Sequence, residues 1–376
     1  MASRKRLLYY CQSLVGIGHL SASLRVVEQL LRQGAEVDLI QGGLDNNSTL
    51  DHPRFRRLKL PTLLHEPDNG GFVDPDEQRH PDDVWPERAR AIEAFLRGPY
   101  HAIVVEFWPF GRRRFKHEIM GLLSAVRERS GPVPVFTSVR EVLVPRPIDK
   151  ERRMVESVKK HIHTVFVRGD ASVVRLHDTF SLAHEIEDRL CHTGYIAPPL
   201  PPPQLPAQRE PQVLVSQGGG NVGHELLEAA IDAAALLPRL FFLLAAGARA
   251  TPSELQALRA RARSGNVEVV PFLADFPQRL ANSALSISLG GDNTLLDVLA
   301  ARTPALAYPY QANPEQGIRI ARFAAKGLVH ALGPEDLAAA RLVWRIEHAL
   351  AAPYPTHRVA MDGAQVTSER ILAALA

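Results

Sequence analysis

The chain reads as an α/β protein made of two Rossmann-like halves, each on a parallel sheet. Three observations predict this. Strand-length apolar runs at 6–11 and 37–40 bracket a helical stretch in which Leu24, Val27, Leu30 and Leu31 share one face, so the chain opens as βαβ. A proline tract at 198–203, continued by Pro206 and Pro211, then breaks the pattern and favours a stiff, extended connector. Beyond it the alternation restarts, with glycine turns between strand and helix at 216–223 and 289–291. The division expected is 1–197, a linker at 198–211, a second domain at 212–352, and a closing helical segment at 353–376 that crosses back to the first domain.

Composition narrows the function classes. In 376 residues, Lys+Arg 44 against Asp+Glu 41 leaves a formal net charge of +3, which gives little reason to expect a nucleic-acid partner and leaves weak attraction to an anionic membrane surface open. Two cysteines, Cys11 and Cys191, make no disulfide framework, and the N-terminus runs into a strand instead of a signal peptide. No apolar stretch approaches the roughly 20 residues that cross a bilayer. A cytoplasmic protein is expected.

In chain order, the first strand ends in a glycine turn, Gly16-Ile17-Gly18, followed by His19, and Gly34 closes the helix behind it. A third glycine at dinucleotide spacing is missing, and Asp38 reaches the place of a ribose acid only by loose counting. By itself His19 reads better as a polar helix cap than as a catalytic residue. Residues 52–86 have loop composition, with six prolines, Asp68-Asn69-Gly70-Gly71, and His65 and His80 as weak acceptor contacts. A buried strand at 102–106 ends in Glu106, and Phe107-Trp108-Pro109-Phe110-Gly111 leads to Arg112, Arg113 and Arg114, which either bind an anion or decorate the start of the next helix. A further strand closes in Ser138-Val139-Arg140-Glu141. His161 and His163 read as alternate positions of a strand, without the acid or cysteine partners that a metal would need.

The second half carries two phosphate-style turns. One is Ser216-Gln217-Gly218-Gly219-Gly220-Asn221, with hinge flexibility as the competing explanation; the other is Gly290-Gly291-Asp292-Asn293-Thr294. A helix N-terminus offers unpaired amides and partial positive charge to phosphate, and Asp297, one turn in, could accept from a ribose diol. The strand at 304–309 is followed by a polar turn, Asn313-Pro314-Glu315-Gln316, at its ligand-binding edge.

This order of turns resembles the GT-B glycosyltransferases, nearest the MurG-like, family 28 peptidoglycan N-acetylglucosaminyltransferase and the predicted bacterial glycosyltransferases related to it. The resemblance implies two Rossmann-like domains with parallel sheets facing across a cleft. It assigns His19 as a base toward an acceptor hydroxyl, with Gly18, Glu106, Arg112 and Arg140 on the acceptor side. It gives the donor nucleotide to Ser216, Gly218 to Gly220, Asn221, Gly290 to Thr294 and Asp297, and the donor-sugar hydroxyls to Glu315 and Gln316. The segment around Phe272 and Leu273 resembles a nucleobase loop, although Phe272 equally suits a core. Asp292 and Asn293 depart from the small or apolar residues of the peptidoglycan enzyme, so its donor is not carried over. The implied reaction is inverting, metal-free and cofactor-free transfer from a nucleotide sugar, with uridine the expected base, to an unknown acceptor: a small natural product, a glycan or a lipid-linked sugar. A nucleotide-sugar hydrolase or epimerase, a non-catalytic nucleotide-sugar binder and a nicotinamide oxidoreductase are the rival readings.

Overall fold

Leu7 to Tyr10 are apolar on both faces of one strand, which requires a sheet covered on both sides. The computed structural model, described over residues 4–14, 18–45, 50–65, 72–73, 80–197, 205–218, 222–247, 249–353 and 356–376, builds that sheet. Its strands are β1 (Arg6–Gln12), β2 (Glu36–Gly42), β3 (Phe55–Lys59), β6 (Ala102–Glu106), β7 (Val135–Arg140), β8 (Thr164–Arg168) and β9 (Leu190–His192), all parallel, in the order β3-β2-β1-β6-β7-β8-β9. A small antiparallel pair, β4 (Leu64–His65) and β5 (Phe72–Val73), stands apart. Helices α1 (Gly18–Arg32), α2 (Pro81–Phe95), α3 (Lys116–Ser130) and α4 (Ile148–His161) supply the cover. The pleat divides β1: Leu8 and Tyr10 join the core under α2, α3 and α4, while Leu7, Tyr9 and Cys11 join the core under α1.

The second unit repeats the plan. Strands β10 (Glu210–Ser216), β11 (Phe241–Ala245), β12 (Val267–Val270), β13 (Ser283–Leu289), β14 (Ala305–Tyr308) and β15 (His330–Ala331) pair in parallel as β12-β11-β10-β13-β14-β15. They alternate with α5 (His224–Ala234), α6 (Pro252–Arg261), α7 (Phe276–Asn282), α8 (Asp292–Ala301), α9 (Pro314–Ala325) and α10 (Ala339–Ala351). The contact-defined units are Met1–Ile196 with Ala360–Ala376, and Ala197–Val359. Helix α11 (Gly363–Ala373) therefore belongs to the first unit, where Ile371 enters the core beneath α1 and Gln33 Nε2 donates to Ser368 Oγ at 2.7 Å.

Several sequence expectations change here. The irregular stretch ends at His80, not Pro86: Pro81 occupies the favoured first position of α2, the His80 ring accepts from the Asp82 amide, and Val84 and Ile92 bury against the sheet. His161 closes α4 and His163 precedes β8, so they share no strand; their rings pack on Trp108 and Phe136 respectively. The basic end Lys159-Lys160-His161 suits a helix C-terminus. Asp38 lies fully buried within β2 and accepts from Arg97 and from Tyr100 Oη at 2.8 Å, which occupies it structurally. Glu315 and Gln316 sit in the first turn of α9, behind an Asn313 cap, and not in a free turn.

Candidate active site

In each sheet the strand order reverses beside its first strand, between β1 and β6 in one unit and between β10 and β13 in the other. Such switch points open a crevice outside the carboxyl ends of the strands, where ligands of doubly wound sheets bind. His19 follows β1 and Glu106 ends β6, so 87 residues of chain close into a neighbouring pair. Nδ1 of His19 lies 2.6 Å from Glu106 Oε1, and Arg168 Nη2 donates to the same oxygen at 3.2 Å. All three side chains are buried.

Burial dominates the imidazole and pushes its pKa down to about 4; Glu106 opposes that fall, while Arg140 and Arg112 add to it. Burial would raise Glu106, but the pull of His19, Arg168 and Arg112 outweighs it and holds the carboxyl at about 2. At neutral pH the pair is a carboxylate beside a neutral imidazole. Nδ1–H then donates to Glu106, and Nε2 carries the lone pair. That arrangement can take a proton from a hydroxyl and hold the resulting imidazolium against a fixed negative charge. Glu106 Oε2, Arg168 Nε and Arg112 Nε are buried without hydrogen-bond partners among the described residues.

The loop after β6 is shaped around this pair. Phe107 takes a left-handed conformation at φ 65°, and its ring centroid lies 5.0 Å from that of His19. Gly111 folds back over the same ring, where an added Cβ would meet Phe107 Cδ1 at 2.4 Å. Gly18 opens α1 next to His19, and Arg140 stands at the end of β7 in register with Arg168.

In the second unit, Ser216 ends β10 and Gly218 turns with φ 79°. Gly219, Gly220 and Asn221 lie outside the described residues, as do Gly16 and Ile17. Gly291 caps α8, and having no side chain it offers no acceptor to the first-turn amides at Asp292, Asn293 and Thr294. Gly290 is required by packing: a Cβ there would stand 2.4 Å from Ile320 Cδ1 of α9. Gly290→Ala is expected to lower stability by about 1–3 kcal/mol as the buried Ile320 is forced out of its packed rotamer. Urea denaturation measures this loss, and an unchanged midpoint would show that the Ile320 side chain can turn away freely.

Asp297 lies half-buried one turn into α8, and Glu315 is likewise half-buried at the start of α9. Gln316 spends its Oε1 on the Tyr310 amide at 2.9 Å, fixing the loop after β14. Phe272 follows β12 and is 64% exposed, which rules out the core role; Leu273 beside it is half-buried. Sequence reasoning missed Arg168 and the placement of Phe107 against His19. The alternation that put Glu106 at a strand end held a signal for Arg168, which ends the next strand but one in the sheet.

Residues 215–366 match the glycosyltransferase family 28 C-terminal domain. A similar curated protein is the UDP-N-acetylglucosamine–N-acetylmuramyl-(pentapeptide) pyrophosphoryl-undecaprenol N-acetylglucosamine transferase of Brucella canis, 29% identical over 158 residues, 40% of this chain and 41% of that one. The chain thus aligns with about two fifths of that relative's length. Among solved structures, CalG4, the calicheamicin glycosyltransferase, superposes with a TM-score of 0.60 at 18% identity, over 99% of this chain and 95% of that one. MurG of Acinetobacter baumannii gives 0.59 at 14% identity, over 99% of both chains. The fold is therefore GT-B, as the order of glycine turns implied, and the resemblance to the MurG-like, family 28 glycosyltransferases holds.

Proposed function

We propose that this GT-B chain, with its family 28 C-terminal domain, is a glycosyltransferase that moves a sugar from a nucleoside diphosphate sugar to an acceptor hydroxyl with inversion. The observation that carries the reading is the buried His19–Glu106 pair at the switch point of the first sheet. In the reaction, the acceptor hydroxyl gives its proton to His19 Nε2 while its oxygen attacks the anomeric carbon. The bond from that carbon to the diphosphate oxygen breaks, and the nucleoside diphosphate leaves. One displacement inverts the centre. Glu106 holds the imidazole in the tautomer that frees Nε2 and faces the imidazolium as it forms.

The donor belongs to the second unit. First-turn amides of α8 meet the diphosphate, whose charge grows as the bond breaks, and Asp297 takes the ribose. Glu315 contacts the sugar hydroxyls, and Gln316, already engaged with Tyr310, positions that loop. Phe272 packs on the base. The donor is a uridine-linked hexose or N-acetylhexosamine, since the Brucella relative is named for transfer from a UDP sugar. Transfer proceeds without metal or cofactor.

Thermal shift against UDP, thymidine diphosphate and NAD, each with and without chelator, tests the donor half. Ligand present at about 100 times Kd stabilises a folded state by about 2.7 kcal/mol. A rise with UDP that chelator leaves intact is the expected result; a rise with NAD alone would overturn the reading. Phe272→Ala sharpens the test. An exposed ring contributes little to folding, so stability is expected to stay within about 0.5 kcal/mol while UDP affinity falls about tenfold. Calorimetry reads the affinity, and unaltered UDP binding would remove Phe272 from the base site.

A further inference from the structure

A cavity of about 410 Å³ lies between the loop after β6 and the first turns of α4. Trp108, Phe110, Phe115 and Met154 give it an apolar floor. Around that floor stand seven cations: Arg112, Arg113, Arg114 and Lys116 on one side, and Arg146, Lys150 and Arg153 on the other. No carboxylate lines it among the described residues. In a chain whose formal net charge is only +3, this is strong segregation. All of these cations but Arg112 are exposed, so water and salt screen their mutual repulsion, and an anion entering the hollow relieves what remains. The first turn of α4 also carries two acids, but Asp149 pairs with Arg153 and the buried Glu151 accepts from the Leu182 amide, which leaves six of the seven cations without a carboxylate from that turn.

Arg112 links the cavity wall to the base through Phe107. Arg112 is held left-handed at φ 60°, with its guanidinium carbon 5.4 Å from the centre of the Phe107 ring, and that ring packs on His19. Its Nε is buried and lacks a hydrogen-bond partner among the described residues. A non-glycine residue in that backbone region costs free energy, which the surrounding loop must hold in place. Leu14, five residues before His19, lines the same cavity.

We infer that the cavity binds an acidic small molecule, an aromatic or polycyclic body bearing a phosphate or carboxylate, and that this molecule is the acceptor. The volume suits such a body, and the apolar floor with its cationic rim matches its two ends. Its role as acceptor rests on the transferase reading; its binding does not. The acidic group sits among Arg112, Arg113 and Lys150, and the hydroxyl to be glycosylated extends past Phe107 to His19.

The test uses the whole chain saturated with UDP, titrated calorimetrically with 1-naphthyl phosphate, 1-naphthoate and 1-naphthol. A second protein carries Arg113→Ala and Lys150→Ala, both exposed positions whose truncation spares the core. The two acids are expected to bind at least about tenfold more tightly than naphthol, and the double variant to lose that advantage while its stabilisation by UDP is unchanged. Naphthol binding as well as the acids, or a double variant indistinguishable from the parent, would overturn the inference and leave the transferase reading standing. Binding of the acids by the parent alone, in a protein that UDP fails to stabilise, would sink the donor reading and keep the anion site. Capture by phosphatidylglycerol vesicles with no response to either acid would reduce the cations to surface attraction and also overturn it.

Discussion

His19→Ala is expected to lower kcat by about a thousandfold while leaving the affinity for UDP unchanged. General-base catalysis contributes about 10²- to 10⁴-fold. The donor nucleotide is assigned to the other unit, so its binding does not pass through the imidazole. Single-turnover rates with saturating donor, beside calorimetry with UDP, separate the two quantities. An unaltered rate would remove His19 from the mechanism. The same base sets the pH profile. Burial holds the imidazole at about 4, so activity should run flat from neutral pH down to about 5 and fall as the imidazole takes up a proton near 4. An ordinary exposed histidine would begin to lose activity more than two units higher.

Much of this site was legible because a parallel sheet gathers its chemistry at one edge. Each strand that ends in a glycine or a polar residue brings that residue to the carboxyl edge of its own sheet: Gly18, His19, Glu106 and Arg140 stand at that edge in the first unit, Gly290 and Gly291 in the second. The pairing was not legible. That Glu106 meets His19 depends on β6 lying directly beside β1, and the chain passes through two helices, two strands and a small antiparallel pair before reaching it. Arg168 ends a strand as Glu106 does, but an arginine at such a position reads as readily as a surface cation, and only burial beside Glu106 separates the two. Lys150 and Arg153 were invisible for a related reason: Asp149 and Arg153 form an i,i+4 pair, the pattern of a solvated helix face, and only packing against the loop after β6 turns that face into a cavity wall.

Gln316 shows a misreading of another kind. Its polar neighbours suggested an open turn, yet Asn313 as cap and Pro314 at the first position spell the start of a helix. Phe272 was left undecided by sequence, since an aromatic after a strand packs inward or outward with equal ease; its exposure settles the matter.

Glu106→Gln is the stricter test of the pair, because it keeps the shape and removes the charge. The glutamine oxygen still accepts from His19 Nδ1–H, so the tautomer survives, but the imidazolium formed during proton transfer has lost its counter-charge. A fall in kcat of about a hundredfold is expected, with little change in acceptor KM. Glu106 also raises the His19 pKa against burial. Without it the imidazole titrates below about 4, so the acid limb of the rate profile should move to lower pH even as the plateau drops. Damage to the fold cannot produce that shift. Stability supplies an independent check. A carboxyl held at about 2, below its ordinary 4.5, stabilises the folded state above pH 4.5 and loses that contribution as pH falls toward 2. Arg168, buried against the same oxygen, makes the loss of charge costly at neutral pH. The urea midpoint of Glu106→Gln should therefore lie well below that of the parent at pH 7 and approach it at pH 3. A gap that stays constant between those two values would mean that folding leaves the Glu106 carboxyl at its ordinary pKa, and a gap that widens at pH 3 would mean that it is neutral in the folded protein; either result would replace the carboxylate–imidazole pair.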